Sequence, residues 1–434
     1  MKKTKLLLLP MLLFGLIGLS ACSLFNDDDI AIKNEYNPPE DDTGAEPQKD
    51  PNGTYIGNVK ADESVEEVPN TYVFDSIPYV KNGKIANTYK EGGENENEFN
   101  VNGGEDYNGT RVNNNFDLYV PKAELKNSKH VVILFIHGGA WVTGFKMDVN
   151  PYVYDFVNKG YIAANIKYTL LKRDMSDANL SIFRNLDEID ACITSIKESL
   201  HELYESKNIT LEDAQIQLVI GGASSGAHLA MLYTYSRGQK ASLKPQFVID
   251  AVGPTDIKPG AWKKLSGSSD APASIEKDSG NELAELAIAG EDGKKWNEYQ
   301  TMRIANGMCG IPYSLEVVRA ATDEEEVEIK DASNAAAQAM TKAGGGEDQL
   351  SVTYWMKSAT VKTPIICAYA GKDTIVGINQ FANLQITMDS YGFSYEFIYF
   401  PSCGHTDLKT KTEESAKYNQ FITAIDDGCQ ALLA

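Results

Sequence analysis

The feature that most restricts the fold is an alternation, beyond residue 111, of short apolar runs with segments of helical length. Short runs rich in Val, Ile, Tyr and Phe are typical of strands that are buried on both faces of a sheet. Because parallel neighbours need a crossover connection, this alternation predicts a mostly parallel central sheet flanked by helices. We predict strands at residues 115–120, 131–137, 161–167, 217–221, 247–252, 364–370 and 395–400, and helices near 148–158, 181–204, 225–235, 378–391 and 413–432.

One interval, at about residues 258–350, breaks this alternation. It is far longer than a typical connection between neighbouring elements, and it mixes helix-prone pieces with Gly-rich turns. We interpret it as an inserted cap, because segments inserted above such a sheet often cover the ligand crevice. The alternative is a peripheral insertion away from that crevice.

The N-terminus has the pattern of an export signal. Residues 1–21 contain three lysines followed by an apolar run that ends in small residues. The run at 6–19 is shorter than the roughly 20 apolar residues that span a bilayer. The sequence Leu-Ser-Ala-Cys that ends at Cys22 resembles the lipobox of bacterial lipoproteins, which predicts an exported protein anchored to the membrane by a lipid at Cys22. An uncleaved signal anchor with a chance cysteine is the alternative.

Composition divides the chain after residue 21 into two parts. Residues 22–101 are rich in Asp, Glu, Asn, Gly and Pro, so we expect an acidic flexible tether there, followed by one folded domain over 102–434. The apolar stretch at 72–80 could pack onto that domain. The formal net charge of -21 argues against a nucleic-acid partner and is typical of a soluble surface.

Cysteine and histidine usage argues against a disulfide framework and a metal centre. Beyond Cys22 there remain five cysteines without paired short spacings, and the chain has five histidines. We therefore expect neither a metal nor a cofactor. Cys403 lies two residues before His405 and is better explained as a small packing residue than as a second nucleophile.

The motif Gly-Ala-Ser-Ser-Gly at 222–226 follows an apolar strand and opens a helix. This is the context of a nucleophile elbow, in which a turn too tight for flanking side chains projects a serine from the strand end. Ser224 is that serine. Glycine and serine are common, so the motif alone fits a Gly-rich strand-to-helix turn equally well.

A second loop supports the same chemistry. An apolar strand leads into His-Gly-Gly-Ala-Trp at 137–141, where glycines allow close approach of backbone N–H groups to an oxyanion. Gly139 and Ala140, together with Ser225, are the predicted donors. His137 is more simply a structural residue than a proton carrier, while Trp141 could line a pocket or pack in the core.

The base and the acid follow from order along the chain, which after a nucleophile elbow is Ser, then Asp or Glu, then His. Of the histidines after Ser224, His228 lies on the elbow helix and is better read as a packing residue, which leaves His405 in a loop after the last strand. Asp373 follows another strand and is the predicted acid that orients His405. The nearest rivals for the acid are Asp250 and Asp256.

These residues resemble the branch of the α/β-hydrolase superfamily whose carboxylesterases carry an HGG oxyanion loop, which includes hormone-sensitive-lipase-like, feruloyl and acetyl-xylan esterases. The resemblance rests on the segments 117–121, 136–141, 222–230, 370–373 and 404–405, in the same order. It implies the α/β-hydrolase fold and cofactor-free hydrolysis of a carboxylic ester, either a small molecule or a polysaccharide-linked one.

Two positions depart from the family pattern. Ala140 replaces the third glycine of the oxyanion loop, and Ala223 stands where many relatives have an acidic residue. Both changes bear on the substrate class and leave the mechanism intact, since an alanine N–H also donates. A serine peptidase or amidase of the same fold, or a non-catalytic surface binding protein, are the alternatives to an esterase.

Overall fold

The computed structural model describes residues 53–80, 84–86, 98–100, 114–171, 181–257, 347–373 and 375–434. The strands are β1 (Tyr55–Ile56), β2 (Val59–Lys60), β3 (Thr71–Pro78), β4 (Lys84–Ala86), β5 (Glu98–Asn100), β6 (Asn115–Pro121), β7 (His130–Ile136), β8 (Ile162–Lys167), β9 (Ile216–Ala223), β10 (Pro245–Ala251), β11 (Ile365–Ala370) and β12 (Tyr395–Phe400). The helices are α1 (Asn150–Asn158), α2 (Ile182–Ser206), α3 (Ser225–Ser236), α4 (Val352–Ser358), α5 (Ile378–Tyr391) and α6 (Ser415–Leu433).

Eight of these strands form one sheet in the order β12-β11-β10-β9-β7-β8-β6-β3. The six strands from β12 to β8 are mutually parallel, whereas β6 pairs antiparallel with both β8 and β3. Helices α2, α3, α4 and α5 contribute to the core on one face, and α1 and α6 to the core on the other. The predicted α/β-hydrolase fold is confirmed, with a mostly parallel sheet covered on both faces.

The predicted tether over 22–101 is wrong for its C-terminal part. Residues Thr71–Pro78 form β3, an edge strand of the main sheet, so the folded body begins well before residue 102. Phe74 and Ile77 are buried in the core, with exposed fractions of 0% and 5%. Burial of large apolar side chains is worth about 1.5–3 kcal/mol each, which holds this strand on the sheet.

The chain direction places the functional loops together. Because parallel strands all end at the same edge of a sheet, the segments after β7, β9, β10, β11 and β12 meet there. The predicted cap lies almost entirely in residues 258–346, outside the described residues, as do the signal segment and Cys22. Within the described part of the chain, no helix combines the length and the apolar character needed to cross a membrane.

Candidate active site

The turn between β9 and α3 has the geometry of a nucleophile elbow. Ser224 adopts φ 55° and ψ −124°, a backbone conformation that is strained for an L-residue. A Cβ on Gly222 would lie 2.4 Å from the carbonyl carbon of Gly226, and a Cβ on Gly226 would lie 2.1 Å from the carbonyl oxygen of Ile136. The two glycines are therefore required by close backbone packing on either side of the serine.

Three predicted residues meet at this turn. His405 Nε2 lies 2.8 Å from the Oγ of Ser224, and His405 Nδ1 lies 2.7 Å from Oδ2 of Asp373. With the Nδ1–H donating to the carboxylate, Nε2 is left to accept the serine hydrogen. Asp373 Oδ1 accepts the backbone N–H groups of Ile375 and Val376 at 2.8 and 2.9 Å, which fixes the carboxylate.

The rival acids lie elsewhere in hydrogen-bond networks of their own. Asp250 accepts the backbone N–H of Gly253 at 2.8 Å, and Asp256 accepts the hydroxyl of Ser351 at 3.0 Å. Asp373 therefore remains the carboxylate that faces His405.

Two acidic residues that the sequence did not single out fix the backbone around His405. The N–H of Gly404 donates to Asp407 Oδ1 at 2.6 Å, and the N–H of Ser402 donates to Glu414 Oε1 at 2.8 Å. Neither role was predicted from the sequence. Asp407 lies two residues after His405, and by itself this spacing predicts only a side chain that caps the local turn.

The loop after β7 packs directly against the elbow. A Cβ on Gly138 would lie 3.0 Å from the carbonyl oxygen of Ala223 and 3.1 Å from the Cβ of Ser224. Gly139 and Ala140 have positive φ values of 107° and 52°, and the Gly139 carbonyl accepts two backbone N–H groups from within the loop at 3.0 Å. The predicted donors Gly139 and Ala140 directly follow Gly138 in this loop, while the third, Ser225, is the first residue of α3.

His137 and Trp141 are both core residues. His137 is fully buried, stacks on Tyr168 with ring centroids 4.3 Å apart, and donates from Nδ1 to the carbonyl of Gly138 at 2.7 Å. Burial lowers the pKa of His137 to about 4, so its ring is neutral at physiological pH. Trp141 is 1% exposed and meets His228 edge-on, so it packs in the core.

His228 is held away from the serine, as predicted. It is fully buried on α3 and donates from Nε2 to the carbonyl of Leu350 at 2.7 Å. Burial lowers its pKa to about 4. His228 therefore joins the elbow helix to the segment that leads into α4.

The described residues include no candidate metal cluster, and the described cysteines are buried. No group of three or more His, Cys, Asp or Glu side chains there could hold a metal ion. Cys403 is buried, and burial raises the pKa of its thiol to about 11, which disfavours the reactive thiolate. Cys192, Cys367 and Cys429 are also buried free thiols.

A known family model matches the part of the chain that contains Ser224. The family model BD-FAE, an esterase-like domain of the α/β-hydrolase type, matches residues 116–285, which is less than half of the chain. The match includes the loop at 137–141 and the turn at Ser224. It indicates a carboxylesterase-type hydrolase.

Similarity to individual proteins is more distant. The non-reducing polyketide synthase atr1 of Stereocaulon alpinum is 27% identical over 143 residues, which are 33% of this chain and 5% of the synthase. The corresponding enzyme ausA of Aspergillus calidoustus is 25% identical over 149 residues, which are 34% of this chain and 6% of that protein. The chain thus matches only a small part of the length of these curated relatives.

Among solved structures, inhibited esterase B from Lactobacillus rhamnosis has a TM-score of 0.45 at 12% identity, covering 83% of this chain and 88% of that one. A truncated carbohydrate esterase from gut microbiota has a TM-score of 0.45 at 14% identity, covering 84% of this chain and all of the other, at 100%. These similarities assign no substrate to the chain.

Proposed function

We propose that this chain hydrolyses carboxylic esters through an acyl-enzyme formed on Ser224. The observation that carries the proposal is the continuous contact from Ser224 Oγ through His405 to Asp373, at 2.8 and 2.7 Å. Distances of this size are within the reach required between a nucleophile, its base and the group that orients the base.

In the first half-reaction, Ser224 Oγ attacks the acyl carbon while its proton passes to His405 Nε2. The negative charge that forms on the former carbonyl oxygen is stabilised by the N–H groups of Gly139, Ala140 and Ser225. The tetrahedral intermediate then expels the alcohol, which receives its proton from His405. A water molecule, activated by His405, attacks the acyl-enzyme and releases the acid and the free serine. Asp373 stabilises the imidazolium in both halves.

For the substrate, we propose short-chain or carbohydrate-linked acyl esters outside the cell. The support is the export signal at 1–21 and the lipobox-like sequence before Cys22, which would hold the enzyme at a surface where external polymers and nutrient esters are encountered. The corresponding anchor at Cys22 is tested by metabolic labelling with a fatty acid analogue. Equal labelling of wild type and Cys22→Ala would overturn it.

The hydrolase proposal is tested with p-nitrophenyl acetate and butyrate. Ser224→Ala is expected to lower kcat by a factor on the order of 10⁴ to 10⁶ without changing the circular dichroism spectrum. Undiminished turnover by the variant would exclude Ser224 as the nucleophile. A panel of acetyl, butyryl, octanoyl and feruloyl esters, acetylated xylan and aminoacyl amides then separates an esterase from an amidase of the same fold.

A further inference from the structure

Beside the nucleophile elbow lies a buried carboxyl that the triad does not use. Asp250 on β10 is paired in register with Gly222, the first glycine of the elbow, and with Cys367 of β11. Its exposed fraction is 0%, and so is that of Tyr369 on β11, whose hydroxyl it contacts. An ionised carboxylate in such a place is costly unless a cation pairs with it.

Among the described residues, none of the groups that shift the pKa of Asp250 is a cation. The titratable groups that face it in the described part of the chain are Tyr369 and Cys367 from β11 and Tyr235 from α3. Burial raises the pKa of each of these three groups, so they are neutral at physiological pH. Burial also raises the pKa of Asp250 itself to about 7, although hydrogen bonds from Tyr369 and Gly253 oppose this effect.

A count of hydrogens in the cluster leads to the same protonation state. The Tyr369 hydroxyl oxygen lies 2.7 Å from Asp250 Oδ2 and 2.6 Å from the carbonyl oxygen of Gly253. Its single hydrogen cannot point along both short contacts, and an ionised carboxylate has none to add. If Asp250 carries a proton on Oδ2, it donates to Tyr369, Tyr369 donates to Gly253, and both contacts are satisfied.

This cluster holds both backbone polar groups of Gly253. Asp250 Oδ1 accepts its N–H at 2.8 Å, while Tyr369 contacts its carbonyl. The preceding residue, Val252, has a φ of 52°, an uncommon conformation for a β-branched side chain that persists only where the surroundings enforce it. The carbonyl before it, that of Ala251, accepts the backbone N–H of Ser224 at 2.8 Å.

We propose that Asp250 is a neutral carboxylic acid in the folded enzyme at mildly acidic pH and in that form acts, through Tyr369 and the turn at Gly253, as a positioning residue for Ser224. The positioning role rests on the proposed function, whereas the protonation state does not. Loss of the proton places two acceptors, the carboxylate and the Gly253 carbonyl, against one hydroxyl hydrogen. The turn then loses the hydrogen bond from Tyr369 to Gly253, and the backbone that orients Ser224 becomes less constrained.

The protonation state is tested by infrared spectroscopy of the folded full chain, comparing wild type with Asp250→Asn. At pH 6 the difference spectrum should contain the carbonyl stretch of one protonated carboxyl, and this band should titrate away as the pH is raised above 7. Absence of the band at pH 6 would overturn the assignment. This readout does not depend on catalytic activity.

The positioning role is tested by the rate at which a fluorophosphonate probe labels Ser224 between pH 6 and 9. Asn at position 250 supplies an N–H in place of the carboxyl O–H. We therefore expect the labelling rate of this variant at pH 6 to be within twofold of the wild-type rate. Between pH 7 and 9, the ratio of the wild-type labelling rate to that of Asp250→Asn should fall at least fivefold. Parallel pH profiles for the two proteins would contradict the role.

Two further variants separate positioning from general stability. Tyr369→Phe removes the hydroxyl between Asp250 and Gly253 and should slow labelling at least tenfold at pH 6. The matched control is Tyr235→Phe, which removes a buried hydroxyl that bonds instead to the carbonyl of Thr363 at 3.1 Å and should label at the wild-type rate. Equal slowing by both would overturn the proposal. Failure of wild type itself to label would instead contradict the proposed function.

Discussion

Four of the seven non-glycine residues with positive φ in the described part of the chain lie around one point of the molecule. Ser224, Ala140, Trp141 and Val252 all have positive φ, with values of 55°, 52°, 64° and 52°. Each such residue costs on the order of 1–3 kcal/mol and persists only when surrounding contacts enforce it. All four lie in the elbow, in the loop that packs against it or in the turn that bonds to it. Much of this strain thus lies around Ser224 and in the loop that contains the predicted oxyanion donors.

At the residue scale, the triad assignment predicts the effect of Asp373→Asn. The amide would present an N–H to His405 Nδ1, forcing the ring into the tautomer whose Nε2 carries hydrogen and cannot accept the serine proton. We expect kcat for p-nitrophenyl butyrate to fall about 10⁴-fold with the fold unchanged.

The control for this prediction is Asp389→Asn, on the exposed surface of α5, where the carboxylate accepts the Tyr395 hydroxyl at 3.1 Å. It should retain wild-type kcat. A loss of less than tenfold in Asp373→Asn would show that this carboxylate does not orient the base.

Between elements, one buried lysine ties the edge of the sheet to the oxyanion loop. Lys146, just after that loop, places Nζ within 3.1 Å of Asp75 Oδ1, 2.8 Å of Ser76 Oγ and 2.9 Å of Asn115 Oδ1, and it also pairs with Asp117. The acceptors belong to β3 and β6. The N-terminal strand β3 is therefore joined to the segment just after the loop at 137–141, about 70 residues later in the chain.

At the element scale, we predict that Lys146→Met lowers the free energy of unfolding by about 3–5 kcal/mol, because it leaves the buried Asp117 without its cation. The matched control is Lys122→Met. Lys122 is 36% exposed and pairs with Glu63, which is 47% exposed, so its loss should cost less than about 1 kcal/mol. Urea denaturation measures both, and equal losses would refute the anchoring role of Lys146.

The strands of the core were predictable because their signal is local. Continuous apolar runs such as 131–137 and 364–370 have no polar face, so they fit a strand buried on both faces. Strand β3 was not assigned, because it contains a register shift between Phe74 and Ile77 and is preceded by an acidic segment. Helix α4 was missed because a helix of seven residues leaves too short a periodic pattern.

Over the whole molecule, buried histidines couple stability to pH. Burial lowers the pKa of both His137 and His228 to about 4, whereas an unfolded histidine titrates near pH 6.5. Between these values the unfolded chain binds protons that the folded chain excludes. The resulting stability is fully present above about pH 6.5 and is lost as the pH falls through 4.

We predict that lowering the pH from 7.5 to 4.5 decreases the free energy of unfolding of wild type by about 2–3 kcal/mol more than that of His228→Gln, because the variant lacks one of these titrating histidines. Denaturant unfolding at both pH values measures the difference. Met231→Leu, a neutral change on the same helix, should keep a constant difference from wild type. If His228→Gln also keeps a constant difference in unfolding free energy from wild type, the titration of His228 does not couple stability to pH.

By itself, the sequence determined the features that depend on short-range sterics. The glycines around Ser224 and in the oxyanion loop could be read directly, because a turn that tight excludes a Cβ whatever surrounds it. The order of Ser224, Asp373 and His405 followed from chain direction and strand ends, and the structure brings those three residues together. Their catalytic roles stay predictions until the variants are assayed.

Which polar groups face one another across the fold depends on long-range packing and could not be predicted from the sequence. Nothing local distinguishes Lys146 from a surface lysine, or Asp250 from a strand-end acid that could orient His405. The difference arises from burial and from partners far along the chain, Asp75 and Asp117 for Lys146, and Tyr369 for Asp250. Burial changes the cost of a charge by several kcal/mol, and it is a property of the packed molecule that no short window of sequence contains.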